Sequence, residues 1–535
     1  MFEVWKRKGL LTVLMVFAVL FTIVMPALGE SGPSIYRYDQ KRTGISYLTS
    51  NIIEPDARWN FDSGSTGGSP PIAGDVNNDG KIEVVFGTAD GIIYAVDEDG
   101  QKIWDYEGEG PIYAPAAIGD IDGDEKNEVV IGGFYLYGGD PNLYALNGED
   151  GTLLWTFSTL DKGAIYEKGF ECAPSLYDIN DDGKLDVLIG SDNRNFYALN
   201  GPDGTILWES EFEHFIRATS PIGDIDEDGI DEILVVDNHA ITRLFEVDGS
   251  LDWEINVGYG VAGTPIFADV DGDDLDEIII LSFGCESIGI LGVVMVYEND
   301  GTLLWSNEEH TYFYSSPTLY DVDGDELLDI LAIDSNDQVL IAYKGTDGSI
   351  IYTAEPFGDN FMGPGLITAD IDGDGEIEVL VGGNPDLFSI NAKDGSVDWI
   401  YDSDGNWIGG PLVVDLNGDG LAEILIRIGG NYICLENGFD LFDLLDKIIE
   451  YILGLPDECF KNNADNRKNT LVNKLEEIRK MMMDENYESA ISKLTNDIRP
   501  KMDGEGNNDW ITCDYAQDDL TEMIDQLIKY LEYML

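Results

Sequence analysis

The chain has 535 residues, and its 104 Asp and Glu against 30 Lys and Arg give a formal net charge of −74. So acidic a surface argues against nucleic acid or anionic lipid as a partner, and against polyanionic polysaccharide unless a cation bridges the two. Five cysteines in a chain of this length do not make a disulfide framework.

Residues 1–29 begin with Lys6, Arg7 and Lys8, run through an apolar stretch from Leu10 to about Met25, and end on the small residues Ala27 and Gly29. This is the pattern of a secretory signal, with an uncleaved membrane anchor as the alternative. After cleavage no stretch is left that could insert stably in a membrane. Residues 30–56 read as an N-terminal linker. ARWNFDSG, Ala57 to Gly64, then reads as a strand carrying Trp59.

Residues 57–437 are repetitive. Eight segments place carboxylate or carboxamide side chains at alternate positions and follow them with an apolar run. Positions 1, 3, 5, 7 and 9 of the first hold Asp75, Asn77, Asp79, Lys81 and Glu83; those of the second hold Asp120, Asp122, Asp124, Lys126 and Glu128. The third has Asp178, Asn180, Asp182, Lys184 and Asp186, and the fourth Asp224, Asp226, Asp228, Ile230 and Glu232. In the fifth stand Asp269, Asp271, Asp273, Leu275 and Glu277, and in the sixth Asp321, Asp323, Asp325, Leu327 and Asp329. The last two have Asp370, Asp372, Asp374, Glu376 and Glu378, then Asp415, Asn417, Asp419, Leu421 and Glu423.

Oxygen side chains at positions 1, 3, 5 and 9, with the carbonyl of position 7 turned inward, supply the oxygen-rich shell a hard cation takes, and Ca²⁺ suits it better than Mg²⁺. Up to eight Ca²⁺ ions are expected. An acidic surface turn without metal is the alternative, but it leaves clustered carboxylates repelling one another. Position 6 favours Gly for a left-handed turn. It is Glu125, Asp274 and Glu326 in three copies, which puts those loops at a disadvantage, least so for Asp274. The closing acid falls too early for an EF-hand, and a strand-like run follows instead of a helix.

Successive loops start between 45 and 58 residues apart, a period that suits a four-stranded propeller blade. In each unit an inner strand A leads into the acidic loop. Strands B and C follow, then a DG turn, then an outer strand D with Trp104, Trp155, Trp208, Trp253, Trp305, Tyr352 or Trp399. The eighth unit lacks strand D. The Trp59 strand is expected to supply it and close the ring, so that no sheet edge is left open. The regular aromatics read as packing anchors between blades.

From residue 438 to 535 the period becomes helical, with an amphipathic helix from Phe439 to Leu455 and three more beyond it. Cys459 and Cys513 share this region and are a candidate disulfide after export. Cys172, Cys285 and Cys434 lie singly in the repeats and read as buried thiols. The expected fold is mainly β: an eight-bladed β-propeller closed by an N-terminal strand, then a small all-α domain.

The acidic loops resemble the FG-GAP and VCBS repeats of integrin α-chain propellers, which implies calcium bound in the loops. The DG-x-x-x-W turns resemble those of eight-bladed PQQ-dependent dehydrogenases and of outer-membrane assembly lipoproteins. That likeness is architectural, because the vicinal cysteine pair of the dehydrogenases is absent here. The pattern CFKNNADNRKNTLVNKLEEIRK with YESAISKL and NDWITCD resembles the FIMAH helical domain of secreted proteins, which implies an extracellular setting.

No catalytic residues or organic cofactor site are expected. The three histidines, His214, His239 and His310, stand alone in the sequence, and no nucleophile elbow, P-loop or H-E-x-x-H is present. Binding is easier to argue. The D-to-A and B-to-C connections share the face opposite the acidic loops, and Tyr113, Tyr166, Phe170, His214, Phe215, Arg217, Tyr259, Tyr312, Phe313, Phe361 and Trp407 immediately precede inner strands there. They are expected to crowd the mouth of the channel, either as a ligand surface or as an apolar plug. The function expected is a secreted or cell-surface module that binds carbohydrate or extracellular protein, with calcium structural. The alternative is a polysaccharide lyase or hydrolase, since calcium-rich eight-bladed propellers include rhamnogalacturonan lyases of similar repeat style. Arg217 and Arg194 are the only basic residues placed near such a site.

Overall fold

The computed structural model describes residue 34 and residues 36–533, apart from 135–141, 160–168, 240, 259, 262, 284–291, 311, 356, 358–364, 404–405, 439–440, 462, 484–485 and 503–509. The proposed signal segment therefore lies outside the described residues. Eight antiparallel sheets form the blades, and the repeat unit of the sequence is the blade. Second strands such as Glu83–Gly87, Asp186–Gly190 and Glu378–Gly382 are buried at every position. Both of their faces pack on neighbouring blades, which is why the sequence shows unbroken apolar runs there instead of alternation. Outer strands such as Lys102–Glu107 alternate, with Trp104 turned in.

Those inward aromatics join each blade to the next. Trp104 Nε1 donates to the Gly148 carbonyl at 2.6 Å, Trp155 to Gly201 at 2.7 Å and Trp305 to Gly345 at 2.6 Å, each acceptor lying in the DG turn region of the following blade. The indole also lies flat against that turn. A Cβ on Gly204, whose φ is +67°, would stand 2.8 Å from the Trp155 ring. Only Gly both adopts that conformation and leaves the ring room. Tyr352 repeats the contact through its hydroxyl, which donates to Ala392 O at 2.9 Å. Trp399 has no such turn ahead of it and donates instead to Ile52 O at 3.0 Å.

The ring closes as expected. Strand β1 (Ile45–Thr49) is followed by strand β2 (Pro55–Asp62), which pairs antiparallel with Asn431–Asn437 as the outer strand of the eighth blade. Trp59 Nε1 reaches Glu98 O in blade 1 at 3.0 Å.

The segment read as a linker departs from expectation, since residues 36–52 fill the channel. Ser34 exchanges backbone hydrogen bonds with Ile118 of blade 2. Gln40 meets Leu176 of blade 3 and Ile222 of blade 4, and Lys41 O accepts from Phe267 N of blade 5. The Tyr38 hydroxyl accepts from Val413 N of blade 8 at 2.7 Å. Strand β1 then runs parallel to Leu366–Asp370 of blade 7. The physical reason is donor supply. Short inner strands present carbonyls toward the axis, and two buried guanidinium groups satisfy several of them. Arg37 donates to Leu366 O at 3.3 Å and to Pro317 O, while Arg42 donates to Ser175 Oγ at 2.6 Å and to Tyr36 O at 2.8 Å. Burial holds Arg37 below the usual arginine range and brings Arg42 down to about 10.

The C-terminal helices are α1 (Leu441–Gly454), α2 (Ala464–Met483), α3 (Tyr487–Lys493) and α4 (Asp514–Tyr533). They bury Leu445, Ile448, Leu471, Leu475, Leu520 and Ile524 in a core of their own, and Cys459 is joined to Cys513. No helix among the described residues is long and apolar enough to cross a membrane. Near the end of α4, Lys529 Nζ donates to Asp372 Oδ2 at 2.9 Å and Asp374 Oδ2 at 3.2 Å, so the helical part rests on the acidic loop of blade 7.

Candidate functional site: acidic loops and channel mouth

All eight acidic loops share one hydrogen-bond scheme at their base. The carboxyl of the closing acid accepts the backbone N–H of position 2, from Glu83 with Val76 at 2.9 Å to Glu423 with Leu416 at 2.8 Å. In blade 4 the Asp224 carboxylate caps Gly229 N at 3.0 Å, Asp226 caps Asp228 N at 3.1 Å and Asp228 caps Ile230 N at 2.9 Å. Each side chain thereby spends one oxygen on the backbone and holds the other toward its neighbours. Positions 4 and 6 are left-handed in every loop, for example Glu227 at φ 59° and Gly229 at φ 89°. The three loops without Gly at position 6 keep the same turn, with Glu125 at φ 67°, Asp274 at 73° and Glu326 at 70°. The alternate carboxylates capping the backbone override the local preference there.

Facing carboxylates make the loops electrostatically costly by themselves. Asp224, Asp226, Asp228 and Glu232 bring ligand oxygens within 4.8 Å of one another, and buried Asp224 Oδ1, Glu232 Oε1 and Glu277 Oε1 have no hydrogen-bond partner. Burial, reinforced by the facing carboxylates, pushes Glu83 up to about 7 and Glu128, Glu232, Glu277 and Glu378 up to about 8. An all-oxygen donor set with orphaned buried oxygens fits a hard divalent cation, and the residues present fit the calcium set read from the sequence. Where Asn replaces Asp the strain is eased internally. Asn77 Nδ2 donates to Glu83 Oε1 at 3.1 Å and Asn417 Nδ2 to Glu423 Oε1 at 2.6 Å. Basic side chains reach the carboxylates of three loops: Lys344 on Asp323 and Asp325, Lys529 on Asp372 and Asp374, and Arg58 on the same Glu423 at 3.2 Å.

At the opposite mouth the structure sorts the proposed ligand residues into two groups. Phe170 and Phe313 are fully buried and belong to the core, which corrects their placement on a ligand face. The cause is a strand-like alternation in four of the D-to-A connections. One side chain packs over the end of strand B and the next turns outward, giving the pairs Ile112 and Tyr113, Phe170 and Glu171, Ile216 and Arg217, and Phe313 and Tyr314. The outward members line a cleft of about 170 Å³ together with Tyr36 of the channel segment. Sequence reading missed Glu171, Tyr314 and Tyr36; stepping one residue on from each buried aromatic finds the first two.

Arg217 is held by Asp192, at 2.9 and 3.0 Å, and by Glu171 at 3.0 Å, over the ring of Phe215. Tyr113 is 39% and Tyr314 51% exposed, and Tyr312 stacks on Tyr314. His214 stacks on His239 at 3.8 Å between centroids. Trp407 is exposed but lies outside the residues lining the cleft. Tyr166, Tyr259, Phe361 and Cys285 fall outside the described residues. Cys172 and Cys434 are buried, and burial pushes the Cys172 thiol up to about 12.

Residues 321–381 match the model of an FG-GAP-like repeat, and residues 69–136 match that of the lambda-carrageenase β-propeller domain. The chain is an eight-bladed propeller with an FG-GAP-like repeat at residues 321–381. No curated protein sequence matches it. Its similar solved structures include the quinohemoprotein alcohol dehydrogenase of Comamonas testosteroni, at TM-score 0.54 and 12% identity over 75% of this chain and 80% of that one. They also include the V. cholerae biofilm matrix protein Bap1, at 0.51 and 15% over 74% and 91%. BamB from Moraxella catarrhalis aligns at 0.50 and 13% over 72% and 99%. At such identities the likeness is one of fold. The propeller's link to the dehydrogenase is its blade geometry, since the aromatics of the DG-x-x-x-W turns are spent on contacts between blades.

Proposed function

We propose that this protein is a secreted or cell-surface binding module in which Ca²⁺ holds the acidic loops and the opposite mouth takes a carbohydrate or protein segment. The observation that carries the reading is the mouth itself. Residues 36–52 bond to the inner strands along the channel, and the exposed rings of Tyr113 and Tyr314 line one cleft with the Arg217 and Glu171 pair and Tyr36. Flat aromatic faces beside a fixed polar pair suit a sugar ring, whose apolar face stacks and whose hydroxyls hydrogen-bond. Asp224, Asp226, Asp228 and Glu232 would hold the ion in blade 4, and their counterparts would do so elsewhere. Bound there, the cation supplies the charge that four facing carboxylates lack.

The biofilm matrix neighbour and the FG-GAP-like repeat support an adhesion-type role. The helical part, whose sequence resembles FIMAH, serves attachment in this reading. The match to the lambda-carrageenase propeller domain favours polysaccharide among the ligand classes and keeps a polysaccharide-cleaving enzyme as the second reading. Arg217 counts against that second reading, because two carboxylates already neutralise it.

A glycan array followed by calorimetry tests the proposal. Tyr113→Ala and Tyr314→Ala should each weaken binding by about 0.5–1.5 kcal/mol, the scale of one lost aromatic stack, with unchanged melting. Binding untouched in both variants would remove the mouth as the site, and shortened product chains would favour the enzyme.

A further inference from the structure

His310 has no metal-ligand spacing in the sequence, yet the fold gives it two carboxylate neighbours from the next blade. It lies in the connection between the outer strand Leu303–Asn307 of blade 5 and the inner strand Thr318–Tyr320 of blade 6. Asp334 and Asp337 belong to the turn between the second and third strands of blade 6. Ser335 N donates to Tyr312 O at 2.8 Å, which clamps the two loops together. His310 Nδ1 then stands 3.4 Å from Asp334 Oδ2 and 3.7 Å from Asp337 Oδ2. Asp334 is buried, and its Oδ1 accepts Asn336 N at 2.8 Å and Asp337 N at 3.2 Å, so the carboxylate is fixed in direction. The Asp337 side chain is 54% exposed and leaves one side of the group open to solvent.

The distances separate an ion pair from a metal cage. An imidazolium paired with a carboxylate closes to about 2.7–2.9 Å. Neither contact does so, and His310 Nδ1 is a buried atom that makes no hydrogen bond. Ligand atoms about 2.0–2.2 Å from a tetrahedral ion stand about 3.3–3.6 Å apart, close to the 3.4 and 3.7 Å found from His310 Nδ1, and the ligand atoms of all three residues lie within 4.8 Å of one another. Imidazole with carboxylate suits zinc and its neighbours, whereas Ca²⁺ takes oxygen alone.

We propose that His310, Asp334 and Asp337 form a site for a divalent transition metal of the zinc class, with three protein ligands and a fourth position open to solvent. Three ligands and one open position are the arrangement that lets a metal take water or an anionic group. Tyr314, four residues along the same connection, lines the mouth cleft, so one connection would serve both the metal and the proposed ligand surface. The inference does not depend on calcium in the acidic loops.

The test uses the full chain, stripped with chelator and held in excess Ca²⁺ so that the acidic loops contribute least. Calorimetric titration with Zn²⁺ should show one tight equivalent. His310→Ala should abolish it, and Asp337→Asn, at an exposed position, should weaken it by at least about tenfold. Co²⁺ in place of Zn²⁺ should give the visible absorption of a four-coordinate ion in the parent and none in His310→Ala. A parent without the tight equivalent, or a His310→Ala protein that binds as the parent does, overturns the proposal. Melting of both variants in Ca²⁺ shows that they are folded.

Discussion

Glu125 and Glu326 hold left-handed backbone at a position where five of the other loops have Gly. An L side chain costs about 1–2 kcal/mol in that region, part of which Gly returns through its freer unfolded chain. Glu125→Gly is therefore expected to stabilise by about 0.5–1 kcal/mol, read as a higher denaturant midpoint at unchanged slope. The closing acids make a second residue-level prediction. Glu232 and Glu277 have folded values near 8 against an ordinary 4.5, so the folded state keeps protons that the unfolded chain has released. Stability should fall as pH rises from about 5 to about 8 in chelator, and Glu232→Gln should flatten part of that slope. Added Ca²⁺ should flatten it further by replacing the protons. Spacing alone made these carboxylates legible in the sequence. The outward partners at the mouth were not, because Phe170 and Glu171 differ only in which face of a short extended segment each occupies.

The aromatic on each outer strand does for the ring what a cross-strand pair does for a sheet. It joins two elements that share no backbone ladder. Trp155 is nearly buried, stacks on Gly204 of the next blade and donates to Gly201 O. Trp155→Ala should cost about 3–5 kcal/mol in chemical unfolding, the range for losing a large buried ring. The DG-x-x-x-W pattern announced this element to the eye because turn glycine and ring are local features. Two other arrangements gave no local signal. His310 meets carboxylates that lie 24 and 27 residues ahead of it on a different blade. The channel segment has the composition of a linker, and only the carbonyls it finds at the axis make it part of the core. Lys529 on Asp372 and Asp374 belongs with these. A partly exposed pair of this kind contributes about 0–1 kcal/mol, so α4 also relies on buried Tyr530 beside it.

For the whole molecule, the acidic loops gather on one face of a chain whose net charge is −74. If each is occupied at about ten times its Kd, linkage gives about 1.4 kcal/mol per site, and eight sites together shift the melting temperature on the order of 10 °C. Melting with and without EGTA checks this, and an unmoved midpoint would count against calcium as a structural element. The filled channel has a different consequence, in time instead of energy. Ser50 bonds to Ala422 and Arg37 to Leu366, pairs separated by 372 and 329 residues. During synthesis the segment can meet blades 2 to 5 early, but these two contacts wait for blades 7 and 8. Contacts of such span make assembly slow, because most of the loop-closure entropy is lost before they form. The ring thus winds around a segment that precedes it in the chain, and the fit of that segment reports that the circle is complete.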